Sequence, residues 1–411
     1  MTAPATALVP AADLLAGLDW SIVRPPDIDA LMSVEDWETF RASRSSSRPP
    51  VLLTRAQYAS LATGDRRLYD IARSAWHSNL PKLSTPMAQT VMDEIRISLQ
   101  VDMMTAGPGV RRGIIVSANS NHGKTTVVLE ALAQHAELLA SLYARAGSGP
   151  RVRDRHIPIV AVTCPPKATI AKLCYRVLDF FGMPYKTSES DGALGDKVRK
   201  CLQACGTKVL FIDEISRLNM LREDAQITFD FIRDIQDSSA TVILAGVDIE
   251  HTGLLIEGQY LREDGDLKTQ TEARFTRLPL PKFNQDGGAG MQAWIDHLSG
   301  VEEQLMLLDK YPGMLSADFA DWLFDATDSG VIGSLSHIVK HACVRAIERG
   351  RKTGTEVIDL EILNAVALDW AAEKRRLAAL AKAQRGEQGD KARKSSPGRK
   401  RGGDSVYDGR R

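Results

Sequence analysis

The chain has 411 residues, of which 44% are hydrophobic and 25% are charged, so it can bury a large core and has the composition of an ordinary globular protein. Its 52 basic and 52 acidic residues cancel, and net charge therefore does not indicate a nucleic-acid partner. No apolar run reaches 18 residues, so we predict no membrane-spanning helix. The five cysteines form no paired metal-ligand motif, which favours reduced thiols in a cytoplasmic protein.

Residues 1–60 are predicted to form an extension that is partly disordered. Proline pairs at 25–26 and 49–50 interrupt it, and the serine- and arginine-rich segment 43–48 is typical of a linker. Apolar clusters around Trp20 and Trp37 predict small helices that dock either on the main domain or on a partner. The sequence leaves both alternatives open.

Residues 61–285 are predicted to form an α/β domain. A helical pattern begins at Tyr58, and Thr85-Pro86 has the form of a second helix start, with Thr85 as the N-cap. Continuous apolar strands that alternate with helices indicate a parallel sheet covered on both faces. The polar segment 186–196 is predicted to be a loop. The predicted strands are residues 113–116, 157–163, 209–214, 241–246 and 277–280.

The first strand leads into a loop that ends in Gly-Lys-Thr-Thr, and a helical pattern follows at 127–143. A Gly-Lys-Thr tripeptide alone would fit a surface turn, but strand, loop and helix in this order favour a phosphate-binding loop. Lys124 is expected to reach the β- and γ-phosphates, and the Thr125 hydroxyl to bind Mg²⁺. Ala118 stands where the usual pattern has its first glycine. The predicted nucleotide-binding residues are Asn119, Ser120, Asn121, His122, Gly123, Lys124, Thr125 and Thr126.

Two acids, Asp213 and Glu214, end the third strand. Because ligands of parallel sheets bind at the carboxyl ends of the strands, we expect these acids to lie beside the phosphate loop. Asp213 is then the second predicted Mg²⁺ ligand, directly or through water, and Glu214 is predicted to orient or deprotonate the attacking water. The pair indicates ATP or GTP binding more strongly than it indicates hydrolysis.

Arginines precede and enter the fifth strand. One of them could reach the γ-phosphate of a neighbouring subunit, where arginine fingers typically raise turnover by ~10³–10⁵. Arg274 is our first candidate for this role and Arg277 the second. The alternative is a surface arginine in an ion pair.

Beyond residue 285 the strand patterns stop. Residues 286–384 are predicted to form a small all-helical domain, and residues 385–411 a basic, disordered tail. Such a tail could bind nucleic acid without sequence readout, or only keep the chain in solution. The predicted helices are 292–308, 317–326, 335–349 and 360–383.

Taken together, these motifs resemble the AAA+ ATPases, and within that group the chain is similar to the TniB/TnsC family of transposition regulators. The resemblance covers roughly residues 65–370. Its motifs are Asn121 to Thr126, Pro165-Pro166-Lys167-Ala168-Thr169, Ile212-Asp213-Glu214-Ile215, Ala273-Arg274-Phe275 and Gly330-Val331-Ile332-Gly333.

The resemblance implies an AAA+ core with a C-terminal helical lid, ATP and Mg²⁺ as cofactors, and a homo-oligomeric ring or filament on double-stranded DNA that directs a transposase or integrase to its target. The chain departs from the family pattern at Ala118 and at Ser216, where histidine is usual. Ser336 and His337 occupy the lid position at which many AAA+ proteins have an arginine sensor. Asp248 is the nearest candidate for the polar sensor of the fourth strand.

Three other functions stay open at this point. A replication initiator or helicase loader shares every catalytic element named above. A non-hydrolysing, nucleotide-gated DNA-binding scaffold would need the loop but not Glu214. A small-molecule kinase would need an acceptor pocket that the sequence does not reveal.

Overall fold

A computed structural model describes residues 31–44, 48–105, 109, 111–147, 155–218, 223–236, 240–249, 274–285, 287–368 and 373–374. Its helices are α1 (Val34–Ser43), α2 (Arg55–Ser60), α3 (Thr63–Ser78), α4 (Pro86–Met104), α5 (Lys124–Ala146), α6 (Ile170–Phe180), α7 (Asp191–Ala204), α8 (Glu223–Gln236), α9 (Gly287–Glu303), α10 (Ala320–Ala326), α11 (Ile332–Thr353) and α12 (Leu360–Ala365). Its strands are β1 (Gly113–Ser117), β2 (Ile159–Thr163), β3 (Val209–Asp213), β4 (Thr241–Gly246) and β5 (Phe275–Pro279).

The five strands form one parallel sheet in the order β2-β3-β4-β1-β5. Every residue of β1, β3 and β4 is buried, as expected for strands covered by helices on both faces. In this order β1 lies between β4 and β5, and β3 is two strands away from β1. The predicted α/β fold, with a parallel sheet flanked by helices, is confirmed.

Helix α4 begins as its sequence predicts. Thr85 accepts the Ala88 N–H through its side chain, and Pro86 occupies the first turn, where its missing N–H costs nothing. Val91, Ile95 and Leu99, spaced four residues apart, are all buried in the core. This face packs α4 against α5, beside the sheet.

Two predicted segments differ from the structure. Residues 186–196 were expected to be a loop, but α7 begins at Asp191, because the Ser190 hydroxyl accepts the Ala193 N–H and caps a helix there. The helix expected over 360–383 is interrupted after Ala365; residues 373–374 are helical again, and residues 369–372 and 375–383 lie outside the described residues. Val366 takes an extended conformation and buries its side chain in the helical region, which stops the helix.

The C-terminal helices α9 to α12 enclose a hydrophobic core of their own. Trp294 lies at its centre, packed edge-on against Phe283 and Phe324, and its indole N–H donates to the Ala320 carbonyl at 2.9 Å. We call residues 287–368 the lid.

The helices α2 and α3 pack on the lid. The indole N–H of Trp76 donates to Gln304 O at 2.7 Å, and Leu308 packs against the apolar cluster of α2 and α3. The sequence had assigned residues 61–285 to the α/β domain as one unit. The contacts of α3 differ from that division, because they join residues 63–78 to the lid.

A buried ionic network fastens α3 to the lid. Arg73 is fully buried and bonds Asp70 in its own helix and Glu356 in the lid, the latter at 2.5 Å. Arg351 on α11 also pairs with Asp70, at 2.6 Å. Removing one partner from such a network typically costs about 3–5 kcal/mol, because a buried charge is left uncompensated.

Helix α1, by contrast, packs on the α/β core. Trp37 is buried there, and Arg44 pairs with Glu130 and Glu137 on α5. Of the two open alternatives for this segment, docking on the main domain is therefore what the structure shows. The apolar cluster around Trp20, the basic tail 385–411 and residues 45–47 of the linker lie outside the described residues.

In the described part of the chain, no helix combines the length and apolar character needed to span a bilayer.

We expect the folded protein to lose stability in acid through His77. This ring is fully buried, its Nε2 accepts the Met306 N–H at 2.9 Å, and burial lowers its pKa to about 3. Between pH 6.5 and about 3 the unfolded chain binds a proton here that the folded chain does not, so stability falls as pH falls. The loss is about 1.4 kcal/mol per pH unit, or about 2 kcal/mol between pH 7 and pH 5.

Urea unfolding at pH 7 and pH 5 measures this loss. The variant His77→Gln keeps an acceptor for the Met306 N–H but does not titrate. It should lose about 2 kcal/mol less than the wild type over the same interval. Equal losses in both proteins would show that His77 does not limit acid stability.

Candidate active site

The loop between β1 and α5 turns sharply at two positions. Asn121 has φ 64° and Gly123 has φ 84°, both in the left-handed region. A glycine is needed at 123 because a side chain there would be strained, whereas asparagine tolerates this conformation. Ala118 is not among the residues with positive φ, so its backbone does not require glycine. The loop can therefore have alanine at its first position, where the usual pattern has glycine.

Lys124, the first residue of α5, folds back across the loop. Its Nζ donates to Ala118 O at 3.0 Å and to Asn119 O at 2.8 Å, and the residue is buried. Burial lowers the pKa of the ammonium, while the nearby Glu214 and Asp213 act in the opposite direction. The lysine is thus held at the loop, with acidic partners from β3 close by.

Thr125 and Asp213, predicted as the two Mg²⁺ ligands, are in direct contact. The Thr125 hydroxyl donates to Asp213 Oδ2 at 2.6 Å. The other carboxylate oxygen, Oδ1, accepts the Glu214 N–H at 2.8 Å. The structure therefore brings together residues that are 88 positions apart in the chain. Their role as metal ligands stays a prediction.

The electrostatics of Asp213 suit a cation partner. Burial raises the pKa of its carboxyl, and the bonds from the Thr125 hydroxyl and the Glu214 N–H offset part of that rise. A divalent cation beside a buried carboxylate favours the charged form. Hydroxyl and carboxylate oxygens, completed by phosphate and water, are the ligands that Mg²⁺ prefers. The residues present fit this ion.

Glu214 lies next to Asp213 in a strained backbone position, with φ 55°. Its carboxylate is about two-fifths exposed and lies 3.8 Å from Arg217 Nε. Its predicted role, orienting or deprotonating the attacking water, stays a prediction.

Backbone strain is concentrated at the carboxyl edge of the sheet. Four of the six non-glycine residues with positive φ in the described ranges follow strands there, one after each of β1 to β4: Asn121, Lys167, Glu214 and Asp248. Such positions cost of order 1–3 kcal/mol each and are common at functional sites. Lys167 was not among the predicted site residues, since nothing in its sequence context signals a positive φ.

A pocket of about 310 Å³ opens beside the loop on the β5 side. Asn119 and His122 line it from the loop, Asp248 from the end of β4, and Arg277 from β5. Burial lowers the pKa of His122, whose Nδ1 lies 3.2 Å from Leu280 O. Asp248, named from the sequence only as the nearest sensor candidate, thus lies next to the loop.

The two predicted arginines lie at different places. Arg277 is at the pocket of its own chain. Arg274 precedes Phe275, which pairs with Gly113 at the amino end of β1. It is about five residues from the carboxyl edge, or roughly 16 Å at the usual rise of a strand. Arg274 is therefore remote from its own phosphate loop.

The remaining residues singled out from the sequence lie in three places: at the phosphate loop, at the end of β3 and on the lid. Ser120 and Thr126 lie in or directly after the loop, Ser120 exposed and Thr126 half-buried. The Ser216 hydroxyl accepts the Val247 N–H at 3.3 Å and joins the ends of β3 and β4. Ser336 and His337 are exposed, and His337 Nε2 lies 2.9 Å from Ala367 O. The lid touches the loop at Gly333 instead, whose N–H donates to Asn121 O at 2.9 Å.

Comparison with known proteins agrees with this geometry. Residues 83–285 match the family model described as bacterial TniB protein. Over these residues the chain is similar to the TniB family. The resemblance to this family is thereby confirmed, and the matched segment includes the phosphate loop, Asp213-Glu214 and β5.

Two solved structures are more distantly similar. The Aeropyrum pernix Orc1 protein, solved in complex with DNA, is 14% identical, with a TM-score of 0.49 over 71% of this chain and 68% of that one. Cdc6p from Pyrobaculum aerophilum is 11% identical, with a TM-score of 0.37 over 67% of this chain and 65% of that one. The comparison with curated proteins gave no match.

We expect substitution to weaken ATP binding at position 123 of the loop and to leave it unchanged at position 118. Gly123→Ala places a side chain at φ 84°, which costs about 1–2 kcal/mol, and should weaken ATP binding about tenfold or more. Ala118→Gly should leave affinity within about twofold, because residue 118 has no positive φ. Titration with a fluorescent ATP analogue measures both. A tighter complex with Ala118→Gly would mean that Ala118 does hinder phosphate binding.

Proposed function

We propose that the protein is an ATP- and Mg²⁺-dependent AAA+ ATPase that assembles on double-stranded DNA and directs a transposase or integrase to target DNA. The contact between Thr125 and Asp213, with Lys124 held at the same loop, is the observation on which the nucleotide site rests. The TniB resemblance supports the transposition role.

Each residue at the site has a distinct task in this proposal. Backbone N–H groups of the loop, together with Lys124, hold the phosphates. Thr125 and Asp213 hold Mg²⁺, which would neutralise the charge that develops on the phosphates. Glu214 orients or deprotonates the attacking water.

The distance between Arg274 and its own phosphate loop supports a head-to-tail assembly. Arg274 lies at the amino edge of the sheet, and the loop lies at the carboxyl edge. A neighbouring subunit can bring these two edges together only through a heterologous contact, which builds rings or filaments.

In that assembly, Arg274 of one subunit meets the γ-phosphate bound by its neighbour, and Arg277 serves the pocket of its own subunit. ATP then stabilises the assembly, since it supplies contacts that only the assembled state makes. Hydrolysis weakens these contacts. The cytoplasmic location expected from the five cysteines of the sequence is part of this proposal.

Electron microscopy of the protein with double-stranded DNA, with and without a non-hydrolysable ATP analogue, tests the proposal. We expect ordered oligomers on DNA only with the nucleotide, and none with Lys124→Ala. If no nucleotide-dependent oligomer forms on DNA, the transposition role is wrong, while nucleotide binding could still hold.

Glu214→Gln separates an ATPase from a nucleotide-gated scaffold. In an ATPase this variant should bind ATP and assemble but lose turnover by about 10²-fold or more, because the base for water is removed. Phosphate release measures turnover, and pull-down of the transposase measures function. If Glu214→Gln still selects target DNA at the wild-type level through repeated cycles, the result favours the nucleotide-gated scaffold over the ATPase.

Mixed assemblies test where the two arginines act. Lys124→Ala and Arg274→Ala should each be inactive alone. In a 1:1 mixture, about a quarter of the interfaces join an intact loop to an intact Arg274, so ATPase activity should partly return. A mixture of Lys124→Ala with Arg277→Ala should stay inactive, because both residues serve the same subunit's site. Recovery in the second mixture would place Arg277 in the neighbour's site.

A further inference from the structure

The lid helix α11 begins without an ordinary cap. Val331 at its N-cap position has no side-chain oxygen, and in the part of the chain that the structure describes no side chain caps this helix. The first turn of any α-helix leaves N–H groups that need acceptors. One of them, the N–H of Gly333, donates to Asn121 O of the phosphate loop at 2.9 Å. The loop thus takes part in capping the lid helix.

The contact is made directly between two backbones. A Cβ atom at position 333 would lie 2.7 Å from Asn121 O and 2.8 Å from Asn121 Cβ. Contacts this short essentially do not occur, so any residue other than glycine would push the lid and the loop apart. Gly333 lies beyond residues 83–285, the segment that the family model matches.

The turn before α11 holds the helix at this place. Asp328 and Ser329 have φ 55° and 62°, and Gly330 has φ 90°. A Cβ at Gly330 would lie 2.7 Å from Phe283 Cβ, and Gly330 O accepts the Phe283 N–H. Three successive left-handed residues are costly, and they fix how the helix start meets the loop.

The geometry of the peptide bond connects this contact to phosphate binding. Asn121 C=O and His122 N–H belong to one planar trans peptide, so they point in opposite directions. When Gly333 holds the carbonyl toward the lid, the His122 N–H is directed away from it. This N–H is one of the loop donors expected to hold phosphate.

We propose that Gly333 is a positioning residue for nucleotide binding, which acts by fixing the Asn121–His122 peptide so that the His122 N–H can donate to a phosphate oxygen. The inference rests on the proposed nucleotide site. Coupling between two sites is reciprocal, so bound phosphate also fixes the lid helix to the loop. The contact joins two backbones and needs no side chain, and at this lid Ser336 and His337 are exposed while His337 Nε2 lies 2.9 Å from Ala367 O.

Gly333→Ala tests this inference, and Gly192→Ala is its matched control. Both glycines are the second residue of a helix, but a Cβ at Gly192 would meet nothing within 4 Å among the described residues. We expect Gly333→Ala to weaken Mg·ATP binding about tenfold and Gly192→Ala to leave it unchanged. Circular dichroism and melting curves without nucleotide establish that both variants are folded.

A second measurement uses the unmodified protein. Hydrogen exchange of peptides that cover the first two turns of α11 should slow when Mg·ATP is added, and should not respond in Lys124→Ala. A loss of this response in Gly333→Ala, at unchanged protection of the lid core around Trp294, indicates positioning and not general destabilisation.

The outcomes are distinct. If the wild type binds no Mg·ATP, the proposed function fails and the inference with it. If the wild type binds but α11 exchange does not respond, or if Gly333→Ala binds as tightly as Gly192→Ala, the nucleotide site stands and the role of Gly333 is overturned.

Discussion

The site depends on one constraint, the common direction of the five strands. Because every strand runs the same way, the residues that follow β1, β3 and β4 meet at a single edge. The 2.6 Å bond between Thr125 and Asp213 is possible only in this arrangement, since β4 separates the strands that position them. The same direction places Arg274 at the opposite edge. The parallel direction of the strands therefore brings the residues of the nucleotide site together and also separates this site from Arg274, the predicted arginine finger.

Much of this was predictable from the sequence because the signals are local. Buried parallel strands are continuous apolar runs, so all five strands begin within two residues of their predicted starts and β4 matches at both ends. The phosphate loop has a short motif with its own backbone requirements, and Gly123 meets them with a positive φ. Asp213 follows from its place at a strand end. These features needed no knowledge of distant contacts.

The features that sequence reasoning missed all depend on such contacts. The helical pattern of α3 shows that it has an apolar face, but not that this face meets the lid. Ser190 can cap a helix or stabilise a turn, and only the packing of α7 decides between them. Gly333 has an ordinary position near a helix start. Its importance arises because Asn121, 212 positions earlier, approaches within 2.9 Å.

The buried pair of Arg73 and Glu356 also bears on how the chain can fold. The two residues are 283 positions apart, and the entire α/β core lies between them. During synthesis Arg73 leaves the ribosome long before Glu356 exists, so α3 has to remain unburied while the core forms. Docking of α3 and closure of the lid are then late events with a large loop-closure cost. Helix α3, near the amino terminus, can therefore reach its final packing only after the carboxyl-terminal lid has been made.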